Sequence, residues 1–502
     1  MTNPWKAKFE ERVEPNREKY PPNVLRVIQG ELKKLEQLEA SSSEFNVTCD
    51  YLDWLTLLPW GNYSEEKFDI IRAQKILDED HYGLTGVKER ILEFIAVAKL
   101  TGTSQGKIIC LSSPTGVDKT SIARCIARAL NRNFFRFSVG GLYDVAEIKG
   151  QRRTSTGAMP GKMVECLKNV GTSNPLILID EIDKLGKSKA GNPASTVMEL
   201  LDPERNANFV DHYLDVPIDL SKVLFVCTAN VVGKTPKSLR DRMEVIAITG
   251  YSTDEKMHIA RDYLEKTAQE ACGVKPEQVE VTDAALLALI ENYCQEEGVQ
   301  KLRKQIVKIY RKIALRLVRQ GSSNEAAAIE KVLVDSSNLC DYVGKPVLSG
   351  ARIYDETPVG VAMGLSCSAM GAGSISYYET TQVEQGKGKG AFGATPKNGP
   401  SGGCAMVTSM LSLALNKPVR KDLAMTGEVT LTGRILPIGK VKEKTLAARR
   451  SKVKTLILPF GKKRVFDGLP ANVKKGLDVH FVDHYSQIFK LAFEYDENNM
   501  GK

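Results

Sequence analysis

The chain has 502 residues, 42% hydrophobic and 26% charged, which excludes a disordered or fibrous polypeptide and leaves room for about three domains. Lys and Arg exceed Asp and Glu by nine, spread along the chain, an excess that suits a solvated surface and admits a nucleic-acid contact. No apolar run approaches a membrane span, and ten scattered cysteines without a C-x-x-C pair argue against zinc or a disulfide framework and for a reducing compartment.

The opening MTNPWKAKFEERVEP lacks the apolar core of a secretory signal and is too acidic for a typical organelle transit peptide. Any targeting segment would lie outside this sequence. Residues 6–44 carry Leu25, Ile28, Leu32 and Leu35 at helical spacing, which predicts one or two amphipathic helices. Residues 46–60 place Tyr51, Trp54, Leu55, Leu57 and Leu58 on a short helix ended by Pro59. ILDEDHYGL and then the helix VKERILEFIAVAKL follow.

The chain is organised around KIICLSSPTGVDKT, residues 107–120. Ile108 to Leu111 read as a buried parallel strand, and Ile122, Cys125, Ile126 and Leu130 as the helix after it. Strand, loop, Lys-Thr and helix is the layout of a P-loop, whose backbone N–H groups and helix N-terminus face phosphates. Gly116 remains in the loop, Lys119 would reach the β/γ-phosphates, and the Thr120 hydroxyl would bind Mg²⁺. The consensus glycines, however, are Ser113 and Asp118. A side chain at 118 is expected to crowd the phosphate nest and to resist its backbone angles. Its carboxylate, about 4–5 Å from a phosphate at an effective dielectric near 20, would cost roughly 3–4 kcal/mol per like-charge pair before relaxation. Weak nucleotide affinity is the expectation.

PLILIDEIDK, residues 175–184, is a strand ending in acids. Asp180 would hold Mg²⁺ through water and Glu181 would polarise the attacking water. A third strand, VLFVCTAN, ends in Asn230, placed to contact the γ-phosphate or its water. SLRDR then offers arginines, among them Arg242, toward a neighbouring subunit's nucleotide. Residues 252–337 are helical throughout, like a lid over a nucleotide. From residue 342 the texture turns to glycine and short β-like runs, then a GKGKGAFGA loop, a helix and further strands, an α+β domain.

In TPKNGPSGG, Ser401 sits at a loop-to-helix junction that offers N–H donors to an oxyanion. The five histidines, His81, His212, His258, His480 and His484, read as ordinary surface or packing residues, so a Ser-His-Asp triad is not expected. A lysine base is the alternative, and spacing leaves Lys442 and Lys444 equally open.

Read together, FFRFSVGG, DVAEIKG, RRT, GAMPGK, LILIDEIDK, ELLDPE, FVDHYLDVPIDLSKV, ATPKNGPS, LAMTGEVTLTGRILP and KEKTLAARR resemble the Lon protease family, mitochondrial type. The resemblance covers nearly the whole chain. It implies an α/β AAA+ P-loop module with a helical lid, preceded by helices and followed by a shortened α+β Ser-Lys peptidase domain. The expected boundaries are 1–100 for the helical remnant, 101–250 for the nucleotide-binding part, 251–341 for the lid and 342–502 for the peptidase. The same resemblance implies ATP and Mg²⁺ as cofactors, polypeptide substrates, a homo-oligomeric ring (a hexamer), a DNA contact and the mitochondrial matrix, with no membrane insertion. It assigns Ser401 as nucleophile, Lys444 as its base, Thr426 as support, Asn230 as sensor 1 and Arg242 as arginine finger.

The departures from the family pattern are as telling. Gln300 replaces the sensor-2 arginine, Ser155 the pore-loop aromatic, Asn398 an aspartate before the serine, and Lys440 a glycine before V-K-E-K. Between Thr381 and Ala394 a strand, a long helix and a further strand are expected to be absent, as is most of the N-terminal region. A degenerate, non-catalytic subunit that docks on active rings is the rival reading, and a nucleotide-independent nucleic-acid or protein binder the third.

Overall fold

The computed structural model describes residues 4–104, 106–114, 116–142, 144–185, 193–294, 296–321, 331–346, 353–367, 373–381, 399–469 and 471–493. The segment 382–398, with the expected glycine loop, the expected shortening and Asn398, lies outside them, as does Thr115 of the P-loop. The chain divides into two compact units, Met1–Thr249 and Gly250–Lys502.

The first unit is built on five parallel strands, β1 (Ile108–Ser112), β2 (Phe134–Ser138), β3 (Leu176–Asp180), β4 (Leu224–Ala229) and β5 (Glu244–Ala247), in the order β2-β3-β4-β1-β5. Every residue of β3 and β4 is buried, which is why these strands read as continuous apolar runs rather than alternating ones. The helices α1 (Pro4–Val13), α2 (Pro22–Gln37) and α3 (Ser43–Leu57) are not a free arm. Phe9, Ile28, Leu35, Leu52 and Leu55 share one apolar core with β1, β3 and β4. Tyr51 Oη also donates to the Leu214 carbonyl at 2.7 Å. The periodic positions Ile28, Leu32 and Leu35 are buried as their spacing predicts.

The second unit begins with helices, the longest described being α4 (Gln300–Gly321), and continues into a mixed sheet. That sheet holds β6 (Val361–Cys367), β7 (Gly373–Glu379), β8 (Leu423–Met425), β9 (Thr455–Pro459) and β10 (Asp478–Val482), in the order β7-β6-β8-β9-β10. β6 and β7 are antiparallel and the other pairs parallel. One face packs on α5 (Gly403–Leu415) through Ala362, Met425, Cys404 and Ala405. The other packs on α6 (Val441–Arg450) through Met363, Ala424, Ala447 and Ala448. These two helices follow the expected nucleophile and carry the expected base, so the sheet between them sets the separation of the two groups.

Candidate nucleotide and peptidase sites

In the first unit the C-terminal ends of β1, β3 and β4 gather Lys119, Asp180 and Asn230, the crevice where open α/β sheets bind ligands. Thr120 follows Lys119 in the first turn of the helix Lys119–Leu130. The lysine is already engaged by its own loop. Its ammonium donates to Asn230 Oδ1 at 2.8 Å, to the Ser113 carbonyl at 2.9 Å and to Ser113 Oγ at 3.0 Å. Burial holds its pKa below the ordinary lysine value, against the pull of Asp180, Asp183 and Glu181. Ser113, in place of a glycine, therefore supplies a hydroxyl that occupies the cation expected to reach phosphate.

Asp118 corrects one expectation. Its φ of −71° and ψ of 63° need no left-handed conformation, so the backbone tolerates the side chain. The same angles make it the centre of an inverse γ-turn, closed by Lys119 N–H donating to the Val117 carbonyl at 2.7 Å. An amide that a P-loop aims at phosphate is spent on this turn. Gly116, at φ 89°, keeps a left-handed loop conformation that favours glycine.

Asp180 is buried and held on both oxygens: Arg136 Nε donates to Oδ2 at 3.0 Å and the Thr228 hydroxyl to Oδ1. Glu181 stands in the left-handed region at φ 61°, with its N–H on Thr228 Oγ1 at 3.0 Å and its carboxylate paired with Lys184. Arg242 is half-exposed and donates to Asp202 Oδ2 at 2.6 Å. His81 is the group that spacing gave no reason to choose. It is buried beside Asp118, with Nε2 lacking a hydrogen-bond partner among the described residues, and burial pushes its pKa below the ordinary value, against the opposing pull of Asp118 and Asp80.

Around Ser155, the expected grip loop turns back on itself through Ser155 N–H to the Arg152 carbonyl at 2.9 Å and Gln151 N–H to the Met159 carbonyl at 3.1 Å. Arg153 stacks on Tyr51 at 3.8 Å and pairs with Glu31 at 2.9 Å. Gln300 is exposed at the start of α4, in the other unit.

In the second unit the expected peptidase residues converge. Lys444 Nζ donates to Thr426 Oγ1 at 2.9 Å, and Thr426 Oγ1 in turn donates to the Ser401 carbonyl at 3.2 Å. Gly427 N–H donates to the same carbonyl at 2.9 Å, which fixes the short turn Pro400–Gly402 against the end of β8. Lys444 and Thr426 are buried, whereas Ser401 is half-buried. Burial holds the Lys444 ammonium below its ordinary pKa, with the Cys367 thiol pulling the other way. Ser401 and Lys444 line one cleft of about 350 Å³, together with Ser366, Cys367, Glu428 and Lys440. A half-exposed hydroxyl and a buried amine with a lowered pKa, in one cleft, can act as nucleophile and base.

The structure also separates the two candidate lysines: Lys442 Nζ donates to the Gly250 carbonyl at 2.8 Å. His480 pairs with Asp478 and His484 lies against Ser486 and the Thr432 carbonyl, so neither lines the cleft. Sequence reasoning missed Tyr378. Its ring fills a slot between two glycines: a Cβ would stand 2.4 Å from the ring at Gly364 and 2.1 Å from Tyr378 Oη at Gly402, next to Ser401.

Three family models match. The Lon protease (S16) C-terminal proteolytic domain matches residues 389–495, the ATPase family associated with various cellular activities 109–251, and the Lon protease AAA+ ATPase lid domain 270–326. The chain is 61% identical over 581 residues to "Lon protease homolog 1, mitochondrial" of Arabidopsis thaliana, covering 98% of this chain and 62% of that protein. This chain belongs to the Lon protease family.

"Lon protease homolog, mitochondrial" of Zea mays is 59% identical, covering 98% of this chain and 63% of the relative. The Homo sapiens protein of that name is 51% identical, covering 94% of this chain and 54% of its own length. The Lon chain thus spans less than two thirds of the curated relatives it matches. The Arabidopsis match runs over more positions than this chain has residues, so gaps on this side are part of it. The AAA module is a nucleotide-binding one, and the fold is the AAA sheet, lid and Lon peptidase domain that the motifs imply.

Proposed function

We propose that this chain is an ATP-dependent serine endopeptidase of the Lon type, with a peptidase dyad in place and a weakened hold on nucleotide. The observation that carries the reading is the Lys444–Thr426 bond at 2.9 Å in the cleft that Ser401 lines. Lys444, its pKa lowered by burial, takes the proton in its neutral form as Ser401 Oγ attacks the scissile carbonyl, then passes it to the leaving amine. Water, deprotonated by the same lysine, hydrolyses the acyl-enzyme. Thr426 holds the lysine and the serine's main chain in one register.

The proposed substrates are polypeptides, the assembly a homo-oligomeric ring, taken as a hexamer, and the compartment the mitochondrial matrix; the relatives' names carry the word mitochondrial and no finer compartment. Lys119, Thr120, Asp180, Asn230 and Gly116 have the chemistry to hold ATP and Mg²⁺, which would polarise the γ-phosphate; Glu181 would orient water and Arg242 would reach a neighbouring subunit. The present bonds of Lys119 and the Asp118 turn would have to be displaced first. Those bonds favour the second reading, a non-catalytic Lon subunit. Domain limits of 1–100, 101–250, 251–341 and 342–502 belong to the same proposal, as does a DNA contact, which salt-sensitive binding to duplex DNA would report.

Casein cleavage decides between the two. ATP-stimulated cleavage lost in Ser401→Ala supports the endopeptidase. Equal rates in wild type and Ser401→Ala leave the non-catalytic subunit.

A further inference from the structure

The helix α6 carries two lysines in its first turn, two residues apart. At 3.6 residues per turn they point about 200° apart, to opposite sides. Lys444 enters the peptidase cleft. Lys442 leaves the helix on the other side and donates to the Gly250 carbonyl at 2.8 Å, where the chain enters the helical segment of the second unit.

Gly250 is itself pinned. A Cβ there would stand 2.7 Å from the Glu297 side chain, and Tyr251 N–H donates to the Glu297 carbonyl at 2.9 Å. Glu297 lies 3.9 Å from Lys440, just before α6. Burial raises its pKa, and Glu443 raises it further, against Lys440, Lys256 and Lys442. Lys256, Glu296, Glu297, Lys442, Glu443 and Arg450 line one cavity at this seam. At the far end of α6, Arg450 Nη2 donates to the Gly373 carbonyl at 2.7 Å, the start of β7. The helix is therefore fastened at both ends, to the sheet at Arg450 and to the lid entrance at Lys442. Between the fastenings it presents Lys444.

We propose that Lys442 is a positioning residue that ties the catalytic helix to the entrance of the lid, so that movement of the lid is felt at Lys444. The inference rests on the peptidase reading above. Cutting the tie frees the first turn of α6 and admits water to Lys444. The groups lining the cleft around that amine are Thr426, Cys367, Ser401, Ser366, Glu428 and the cation of Lys440, and none replaces the lost exclusion of water. Its pKa then moves toward the free-lysine value, and less of it is neutral at a given pH.

The test is the pH dependence of Ser401 labelling by a fluorophosphonate probe on the full chain. Lys442→Met keeps the aliphatic stem and removes the donor. It should slow labelling roughly threefold at neutral pH and raise the midpoint by about half a unit. Lys442→Arg, which keeps charge and donors, should return both toward wild type. A loss of folded protein alone would lower the amplitude and leave the midpoint in place. An unmoved midpoint in Lys442→Met overturns the proposal. Hydrogen exchange over residues 250–256 and 441–450 keeps the tie testable if the wild-type chain does not label, an outcome that sinks the peptidase reading itself. Faster exchange in both segments in Lys442→Met supports the tie; a change in one or neither refutes it.

Discussion

Lys119 and Asn230 are bound to each other, with Nζ 2.8 Å from Oδ1, across the crevice where phosphate would lie. Together with Ser113 they close the crevice at the C-terminal end of β1.

Opening that crevice should be measurable. Asp118→Gly removes the carboxylate and frees the γ-turn, and Ser113→Gly removes the hydroxyl on Lys119. Each is expected to tighten ATP binding about tenfold, for Asp118→Gly a fraction of the repulsion between like charges at this range and for Ser113→Gly about one hydrogen bond to a charged group released from Lys119. Asp118→Asn separates charge from backbone shape. Calorimetric titration with ATP and Mg²⁺ reads all three and a variant that joins Ser113→Gly to Asp118→Gly, and affinity equal to wild type in that double variant would rule out the locked crevice.

The peptidase should gain rate with pH. Lys444 must be neutral to accept a proton, and burial depresses its pKa, so labelling of Ser401 should rise through a midpoint below the ordinary lysine value. Lys444→Arg fixes the charge and should abolish labelling by two orders of magnitude or more, the usual scale of a lost general base. Lys444→Arg that labels like wild type rules lysine out as the base.

Lys256 should make the second unit more stable in mild alkali. Buried against the Glu296 carbonyl, its pKa falls to about 8 from 10.5. Above pH 8 the folded state gives up the proton while the unfolded chain keeps it to about 10.5, so stability climbs with pH across that window. The rise is worth about 3 kcal/mol at most. Denaturant midpoints taken between pH 8 and 10.5 should show the climb in wild type and lose it in Lys256→Met.

Gly402 should tolerate no methyl while Tyr378 fills its slot. Gly402→Ala is expected to cost about 1–3 kcal/mol and to displace the nucleophile turn. Adding Tyr378→Val should restore melting temperature and serine labelling together. A single Gly402→Ala variant that melts with wild type contradicts the fit.

Much of this was legible in sequence because it depends on local pattern. β1, β3 and β4 announce themselves as unbroken apolar runs since both faces are covered. Ser401 and Lys444 carry motif signals. What sequence hides is the partner of each group. Replacement of a glycine by Ser113 predicts crowding, but not that its hydroxyl seizes Lys119. Asp118 predicts a strained backbone and instead finds a relaxed turn that consumes an amide. Lys442 and Lys444 are equivalent by spacing, and only the helix's seating on β6 and β8 parts them. Tyr378 meets Gly364 and Gly402 across distant stretches of chain, a contact that no period announces.

The stacking of Arg153 on Tyr51, with Glu31 as its counter-ion, has a mechanical outcome. A polypeptide dragged past Ser155 and Met159 would load the loop at its tip, and the guanidinium would hand that load to the N-terminal helices as a rigid buttress. Pulling force in this chain would be borne by a shared apolar core rather than lost in a hinge.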